Sequence, residues 1–228
     1  MGKAIEEIAM EKGHDIVLKI SSANKHDLTA ANLQRADVVI EFTNPENAIS
    51  NIKKCFDAGI PVVSGSTGWL EHWDEVEKYC STKKAAFLYA SNFSIGVNIF
   101  FEVNKRLAAL MAAHPAYEIS IEETHHTEKK DAPSGTAITL AEQVMKNVPR
   151  KSSWVNQPTA HAEELFISSK RIDPAPGTHS VKYSSGVDDI EIIHTAHNRK
   201  GFAGGSVLAA EFLKGKTGIF SMKDVLGL

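Results

Sequence analysis

Apolar residues fall into two textures that alternate along the first part of the chain. Over residues 2–12, Ile5, Ile8 and Ala9 share one face at helical spacing, and Gly13 stops the run. Ile16 to Ile20 read as a strand, and Asp37 to Phe42, with Val38, Val39 and Ile40, as a second and buried one. Asn44 is placed to cap a helix with Pro45 as its first residue, and Ala48, Ile49, Ile52 and Phe56 form its inner face before Gly59. Pro61-Val62-Val63 opens another buried strand ending at Gly65. A helix from about Leu70 to Tyr79 leads to a short strand, Ala86 to Tyr89. Helices alternating with short apolar strands predict a parallel α/β sheet, in which ligands sit beyond the carboxyl ends of the strands. Phe42-Thr43, Gly65-Ser66-Thr67 and Ala90-Ser91-Asn92-Phe93 fall at those ends.

After Phe93 the pattern changes. A long helix from about Ile95 to Ala113 precedes Glu118-Ile119-Ser120-Ile121-Glu122, which alternates as a half-exposed strand does. Further strands are expected around 161–169, 179–184 and 188–196, with Asp173-Pro174-Ala175-Pro176-Gly177 as a turn, and a last helix near Gly205 to Leu213. The expected fold is a Rossmann-like parallel sheet domain plus an α+β domain with an open mixed sheet.

The 228 residues are enough for one large or two small domains, and the net charge of −3 argues against nucleic-acid binding through a broad basic surface. Cys55 and Cys80 are too few for a disulfide framework or zinc ribbon, which favours a reducing cytosol. No apolar run approaches membrane-spanning length, so the chain reads as soluble and cytoplasmic.

The chemistry concentrates in Glu123-Thr124-His125-His126-Thr127-Glu128-Lys129-Lys130-Asp131-Ala132-Pro133-Ser134-Gly135-Thr136-Ala137. Two imidazoles and an amine stand just before a Pro-Ser-Gly-Thr turn. An amphipathic helix follows, with Ala137, Leu140, Ala141, Val144, Met145 and Val148 on its buried face. Amides at a helix start have no intrahelical acceptor and carry partial positive charge, so this turn suits a carboxylate or phosphate. Histidine titrates near neutrality and serves as a general acid or base. Taken singly, His125 and His126 are ordinary surface residues, Lys129 a solvated charge, and Ser134, Gly135 and Thr136 a helix cap. Together they mark an active site.

The spacing E-x-H-H-x-x-K-x-D-A-P-S-G-T-A resembles the signature of the dihydrodipicolinate reductase family, more fully 4-hydroxy-tetrahydrodipicolinate reductase, of bacterial and plant lysine and diaminopimelate synthesis. Glu41-Phe42-Thr43-Asn44-Pro45, Gly65-Ser66-Thr67-Gly68, Ser91 to Asn98 and Phe202-Ala203-Gly204-Gly205 also resemble family segments, in the same order. The resemblance implies that His125 is the acid/base residue of a mobile loop and Lys129 the proton donor. His126, Gly135, Thr136 and, more weakly, Ser134 would hold the substrate. Phe42, Thr43, Gly65, Ser66, Thr67 and Ala90, Ser91, Asn92, Phe93 would touch the nicotinamide cofactor, and Arg199 matches an arginine near it. It further implies a dinucleotide-binding domain over 1–94 with 200–228, a substrate-binding and oligomerisation domain over 95–199, domain closure that excludes water, and a homotetramer built through the mixed sheet.

Two features depart from the family pattern. After Ile20 stand Ser21-Ser22-Ala23-Asn24-Lys25, without the acid that binds the ribose of NAD, so hydroxyls and Lys25 tilt the expectation mildly to NADPH, with NADH also usable. A dinucleotide-binding domain opens with a strand and a Gly-rich turn, whereas here the first helix follows Met1-Gly2-Lys3 at once. Met1-Gly2 resembles the end of the family's G-x-x-G-x-M-G segment, so the chain reads as an internal start. Roughly ten residues would restore the missing strand and turn.

His194 and His197 form an H-x-x-H without further ligands, and no metal site is read there. The rival readings are another two-domain nicotinamide oxidoreductase, such as a semialdehyde or homoserine dehydrogenase, and a nucleotide-binding protein that has lost catalysis. Semialdehyde dehydrogenases need a nucleophilic cysteine, and neither Cys55 nor Cys80 lies near the His-His run.

Overall fold

The computed structural model describes residues 1–198 and 200–228, so Arg199 as a cofactor contact lies outside the described residues. In chain order the elements are α1 (Gly2–Glu11), α2 (Ala30–Leu33), β1 (Val39–Glu41), α3 (Pro45–Asp57), β2 (Val62–Ser64), α4 (Trp73–Lys83), β3 (Ala86–Tyr89), α5 (Ile95–Met111), β4 (Glu118–His125), α6 (Gly135–Asn147), β5 (Ser153–Val155), β6 (Glu164–Arg171), β7 (Thr178–Ser184), β8 (Asp189–Thr195), α7 (Lys200–Leu213), β9 (Gly218–Phe220) and α8 (Met222–Leu226). They form two compact units, Met1–Ile95 with Lys200–Leu228, and Gly96–Arg199.

The first unit is built on a parallel sheet of order β1-β2-β3-β9. Successive residues of a strand face opposite sides, so Val62 and Phe87 pack under α3 and α4 with Ile52, Phe56 and Val76, while Val63 and Leu88 pack under α7 and α8 with Ala209, Leu213 and Met222. Asn44 caps α3 as expected, its Oδ1 accepting from Asn47 N at 3.1 Å, with Pro45 in the first turn. The helix α7 begins at Lys200, earlier than the apolar pattern indicated, so Phe202-Ala203-Gly204-Gly205 lies within it. A Cβ at Gly205 would sit 1.7 Å from the carbonyl oxygen of Phe93, so the missing side chain lets α7 lie against the backbone that follows β3.

One expected strand does not form. Residues 16–20 join no ladder, and Ile16, Val17 and Ile20 are exposed. The β-branched run has the propensity, but a strand is stabilised by a partner, and β1 pairs only with β2 among the described residues. The short elements α2, β5, β9 and α8 were not foreseen, since three to five residues carry too little periodicity.

The second unit holds a mixed sheet of order β5-β6-β4-β7-β8, with β4 parallel to β6 and antiparallel to β7. One face is covered by α5 and α6. Ile121 stands in register with Ile167 on β6 and Val181 on β7, and Val181 with Ile192 on β8, giving an apolar row under Leu140, Ala141 and Val144 of α6.

Candidate active site

Moving along β4 toward its carboxyl end, the buried face changes character. Ile119 and Ile121 give way to Glu123 and His125, both also buried. The period of two that buries the isoleucines also buries the ionisable pair. Beside the apolar row, Glu123 pairs across the ladders with Ser169 on β6 and His179 on β7, and His179 pairs with His194 on β8. A transverse polar row therefore crosses four strands. In the next row, His125 stands opposite Arg171.

Glu123 is fully buried and well supplied with donors. Its Oε2 lies 2.5 Å from Nδ1 of His125, and its Oε1 accepts from Nη2 of Arg171 at 2.9 Å and from the amide of Ser134 at 3.3 Å. Burial alone pushes the carboxyl up, but hydrogen bonds from His125, Ser169 and Arg171 outweigh it and hold Glu123 well below the usual carboxylate range. The ring of His179 meets that of His125 edge to face at 5.0 Å, and its Nε2 lies 3.1 Å from Oγ of Ser134. Burial first, and the neighbouring charge of His125 second, push the His179 imidazole down to about 3, so it is neutral. Ligand atoms of Glu123, His125 and His179 lie within 4.8 Å of one another. A carboxylate and two imidazoles are a donor set that transition metals accept, but here the carboxylate is already ion-paired with Arg171.

The loop after β4 carries the amine. Lys129 is half-buried and its Nζ donates to both carboxylate oxygens of Asp131, at 2.7 and 2.6 Å. Arg171 also ties this loop down, with Nε donating to the Lys129 carbonyl at 3.2 Å and Nη2 to the Asp131 carbonyl at 2.6 Å. Thr127 is held by Asp173, through its amide at 3.1 Å and its hydroxyl at 2.6 Å. His126 lies half-buried between β4 and that contact. Ser134 caps α6, its Oγ accepting from Ala137 N at 3.2 Å, so this oxygen is engaged by the helix and by His179. Exposed Gly135 and half-buried Thr136 open the helix, where backbone amides point outward.

The residues expected to meet the nucleotide lie in the first unit around a buried carboxylate that the sequence pattern left without a role. Glu41, at the end of β1, accepts from the Thr43 amide at 2.9 Å, from Ser64 Oγ at 2.6 Å, from Ser66 Oγ at 2.8 Å and from the Thr43 hydroxyl. Ser66 Oγ also accepts from the Thr43 amide at 2.7 Å. Glu41 thus fastens the ends of β1 and β2 to each other. A Cβ at Gly65 would fall 2.2 Å from Cε1 of Phe42, and the Phe42 and Phe93 rings lie 5.5 Å apart. Asn92 is buried and accepts from Ser94 N at 2.9 Å, Ala90 is half-buried, and Thr43, Thr67 and Ser91 are exposed. Lys25 is exposed in a 3-10 turn over Ser22–Asp27, with Nζ 3.4 Å from Asn47 Oδ1.

Residues 1–93 match the family profile described as dihydrodipicolinate reductase, N-terminus, and residues 96–226 the one described as dihydrodipicolinate reductase, C-terminus. The chain belongs to the dihydrodipicolinate reductase family.

A 4-hydroxy-tetrahydrodipicolinate reductase of Christiangramia forsetii is 49% identical over 227 residues, spanning 99% of this chain and 93% of that protein. The protein of the same name from Neisseria meningitidis serogroup B is 32% identical over 230 residues, spanning 98% and 84%. Among solved structures, a dipicolinate-bound dihydrodipicolinate reductase from Paenisporosarcina sp. TG-14 superposes with a TM-score of 0.74 at 20% identity, covering 96% of this chain and 92% of that one. An amine dehydrogenase from Mycobacterium smegmatis reaches 0.61 at 11% identity, covering 97% and 92%. At those identities the likeness is one of fold.

Membership in the dihydrodipicolinate reductase family agrees with the state of the cysteines. Burial pushes the Cys55 thiol up to about 12 and the Cys80 thiol up to about 11, so neither offers the thiolate a semialdehyde dehydrogenase needs. Glu123, Arg171, His179 and Glu41 belong to these clusters, and motif reading left them without a role. For Glu123 and His179 the signal was present, since each continues the alternation of buried residues on its own strand.

Proposed function

We propose that this chain catalyses the NAD(P)H-dependent reduction of 4-hydroxy-tetrahydrodipicolinate to tetrahydrodipicolinate in lysine and diaminopimelate synthesis, taking up a hydride and a proton and releasing the 4-hydroxyl as water. The observation that carries the reading is the cluster at the end of β4, where His125 is held against Glu123 and the Lys129 loop is fastened beside it by Arg171. Proton-handling groups stand next to a helix start suited to a carboxylate, which is what a cyclic dicarboxylate requires.

The strand ends of the first unit fit a nicotinamide nucleotide. Gly65 lets the Phe42 ring lie against the backbone where a Cβ would clash, and Thr43, Thr67 and Ser91 are exposed beyond the carboxyl ends of parallel strands. Phe42, Thr43, Gly65, Ser66, Thr67 and residues 90–93 would hold it there, and when bound it supplies the hydride. The chain's own groups do the rest. His125 exchanges a proton at Nε2 while Glu123 engages Nδ1, and Lys129 donates a proton and draws the dicarboxylate. His126 and the first-turn amides of α6 at Gly135 and Thr136 orient the carboxylates. Electron density rising on the ring meets fixed donors, which stabilise it without reorganisation. The exposed amine of Lys25, with no acid beside the preceding serines, favours the extra phosphate of NADPH, with NADH also accepted.

The face of the mixed sheet away from α5 and α6 carries partly exposed Phe166 and exposed Ile193 among polar side chains, and this face is assigned to a homotetramer. No helix of the described residues is long and apolar enough to cross a membrane, and the cytoplasm is taken as the compartment.

The test is isotopic. With nicotinamide nucleotide deuterated at the transferring position and substrate formed in situ from aspartate semialdehyde and pyruvate, the label should appear in tetrahydrodipicolinate by mass spectrometry. Nucleotide oxidation that leaves the product unlabelled would contradict the assignment.

A further inference from the structure

One guanidinium touches both the carboxylate beside His125 and the backbone of the loop that carries Lys129. Arg171 donates to the Glu123 carboxylate, which engages His125, and to the backbone carbonyls of Lys129 and Asp131 that flank the loop carrying the amine. Its Nη1 takes the Lys170 carbonyl at 2.7 Å. The planar fork of arginine can satisfy several acceptors in fixed directions, whereas lysine presents a point charge.

The neighbouring rows of the same face show what this position would hold if it were only core. Ile121, Ile167, Val181 and Ile192 fill the adjacent row without a polar atom. A carboxylate buried one row further on costs desolvation, and a buried ion pair is weak grounds for stability by itself. Its placement makes sense through its neighbour. A carboxylate at Nδ1 fixes the tautomer and the ring plane of His125, leaving Nε2 as the exchanging nitrogen.

We infer that Glu123 and Arg171 are positioning residues for the reaction. Glu123 orients His125, and Arg171 locks Glu123 and the Lys129 loop into one arrangement. The inference rests on the roles proposed above for His125 and Lys129, and goes beyond them by naming the two residues that act through them. Neither needs to touch substrate or nucleotide.

The experiment is a double-mutant cycle. Glu123→Gln is measured alone and in a His125→Ala background, with kcat, KM and nucleotide affinity recorded for each. Glu123→Gln alone should lower kcat on the order of 10²-fold, within the range of a displaced acid/base group, and leave nucleotide affinity unchanged. In the His125→Ala background the same change should cost little more, because residues acting as one unit are not additive. Glu123→Asp should recover part of the loss. Arg171→Lys, which keeps the charge but loses the fork, should lower kcat without weakening nucleotide binding, and Glu123→Asp carries the cycle with His125→Ala should Glu123→Gln not fold.

Equal losses in both backgrounds would overturn the inference, since they would mark Glu123 as structural. So would wild-type kcat in Glu123→Gln beside a crippled His125→Ala, which leaves the role of His125 intact. A His125→Ala enzyme with wild-type turnover would instead bring down the underlying reading and the inference together.

Discussion

Gly177 backs onto the imidazole of His125: a Cβ at residue 177 would stand 3.0 Å from Nε2 and 3.3 Å from Cδ2. The buried backbone of the turn before β7 therefore leaves clearance at the nitrogen assigned to proton exchange. Gly177→Ala should crowd that nitrogen and turn the ring against Glu123. A fall in kcat of roughly tenfold to a hundredfold is expected from a small misplacement of a reacting group. Nucleotide affinity, measured by fluorescence titration, should not change. Full activity in the alanine variant would show that Nε2 is not the exchanging atom.

The neutral His179 makes stability depend on pH in a defined direction. Its folded value of about 3 lies below the ordinary 6.5, so between these limits the unfolded chain binds a proton that the folded chain refuses. Stability is therefore complete above about pH 6.5 and declines as pH falls, by up to about 1.4 kcal/mol per pH unit. Glu123 adds loss of the same sign at lower pH, as the solution falls through its depressed folded value. Urea unfolding at about pH 7 and about pH 5 should show the decline, and His179→Asn should flatten it. Equal pH sensitivity in the variant would place its origin elsewhere.

Glu41 accepts from every donor around it, so Glu41→Gln would set an amide N–H₂ against groups that already donate. The ends of β1 and β2 should separate, and nucleotide should bind about tenfold more weakly, the equivalent of one charge-assisted hydrogen bond. Direct titration with NADPH reads this out. Unaltered affinity would mean that Thr43 and Ser66 do not need their anchor.

Lys25 offers a test of cofactor choice. Lys25→Ala should lower kcat/KM for NADPH by about fivefold, in keeping with one exposed charge contact, and leave NADH untouched. A parallel loss for both nucleotides would remove Lys25 from the phosphate.

The fold was legible wherever periodicity ran long enough. The rhythm of Ala137, Leu140, Ala141 and Val144 announced α6, and Asn44-Pro45 announced the start of α3. Residues 16–20 misled, because Ile16, Val17 and Ile20 state a propensity while a ladder depends on what lies alongside. At the site, the His-His run and its Lys129 were visible as local sequence. The alternation on β7 marks His179 as buried, but nothing local joins it or Arg171 to Glu123, since both lie more than forty residues away in the chain. Only the alternation on β4 hinted that Glu123 faces inward with His125.

Removing the amine from the reaction centre proposed at the end of β4 and its loop is the most direct measurement. Steady-state oxidation of NADPH, with substrate generated in situ, should be followed for the wild-type chain and Lys129→Ala side by side. The wild type should oxidise NADPH only when substrate is present. Lys129→Ala should lose on the order of 10²-fold or more of that rate, with nucleotide binding preserved. Wild-type rates in Lys129→Ala would rule out this loop as the reaction centre.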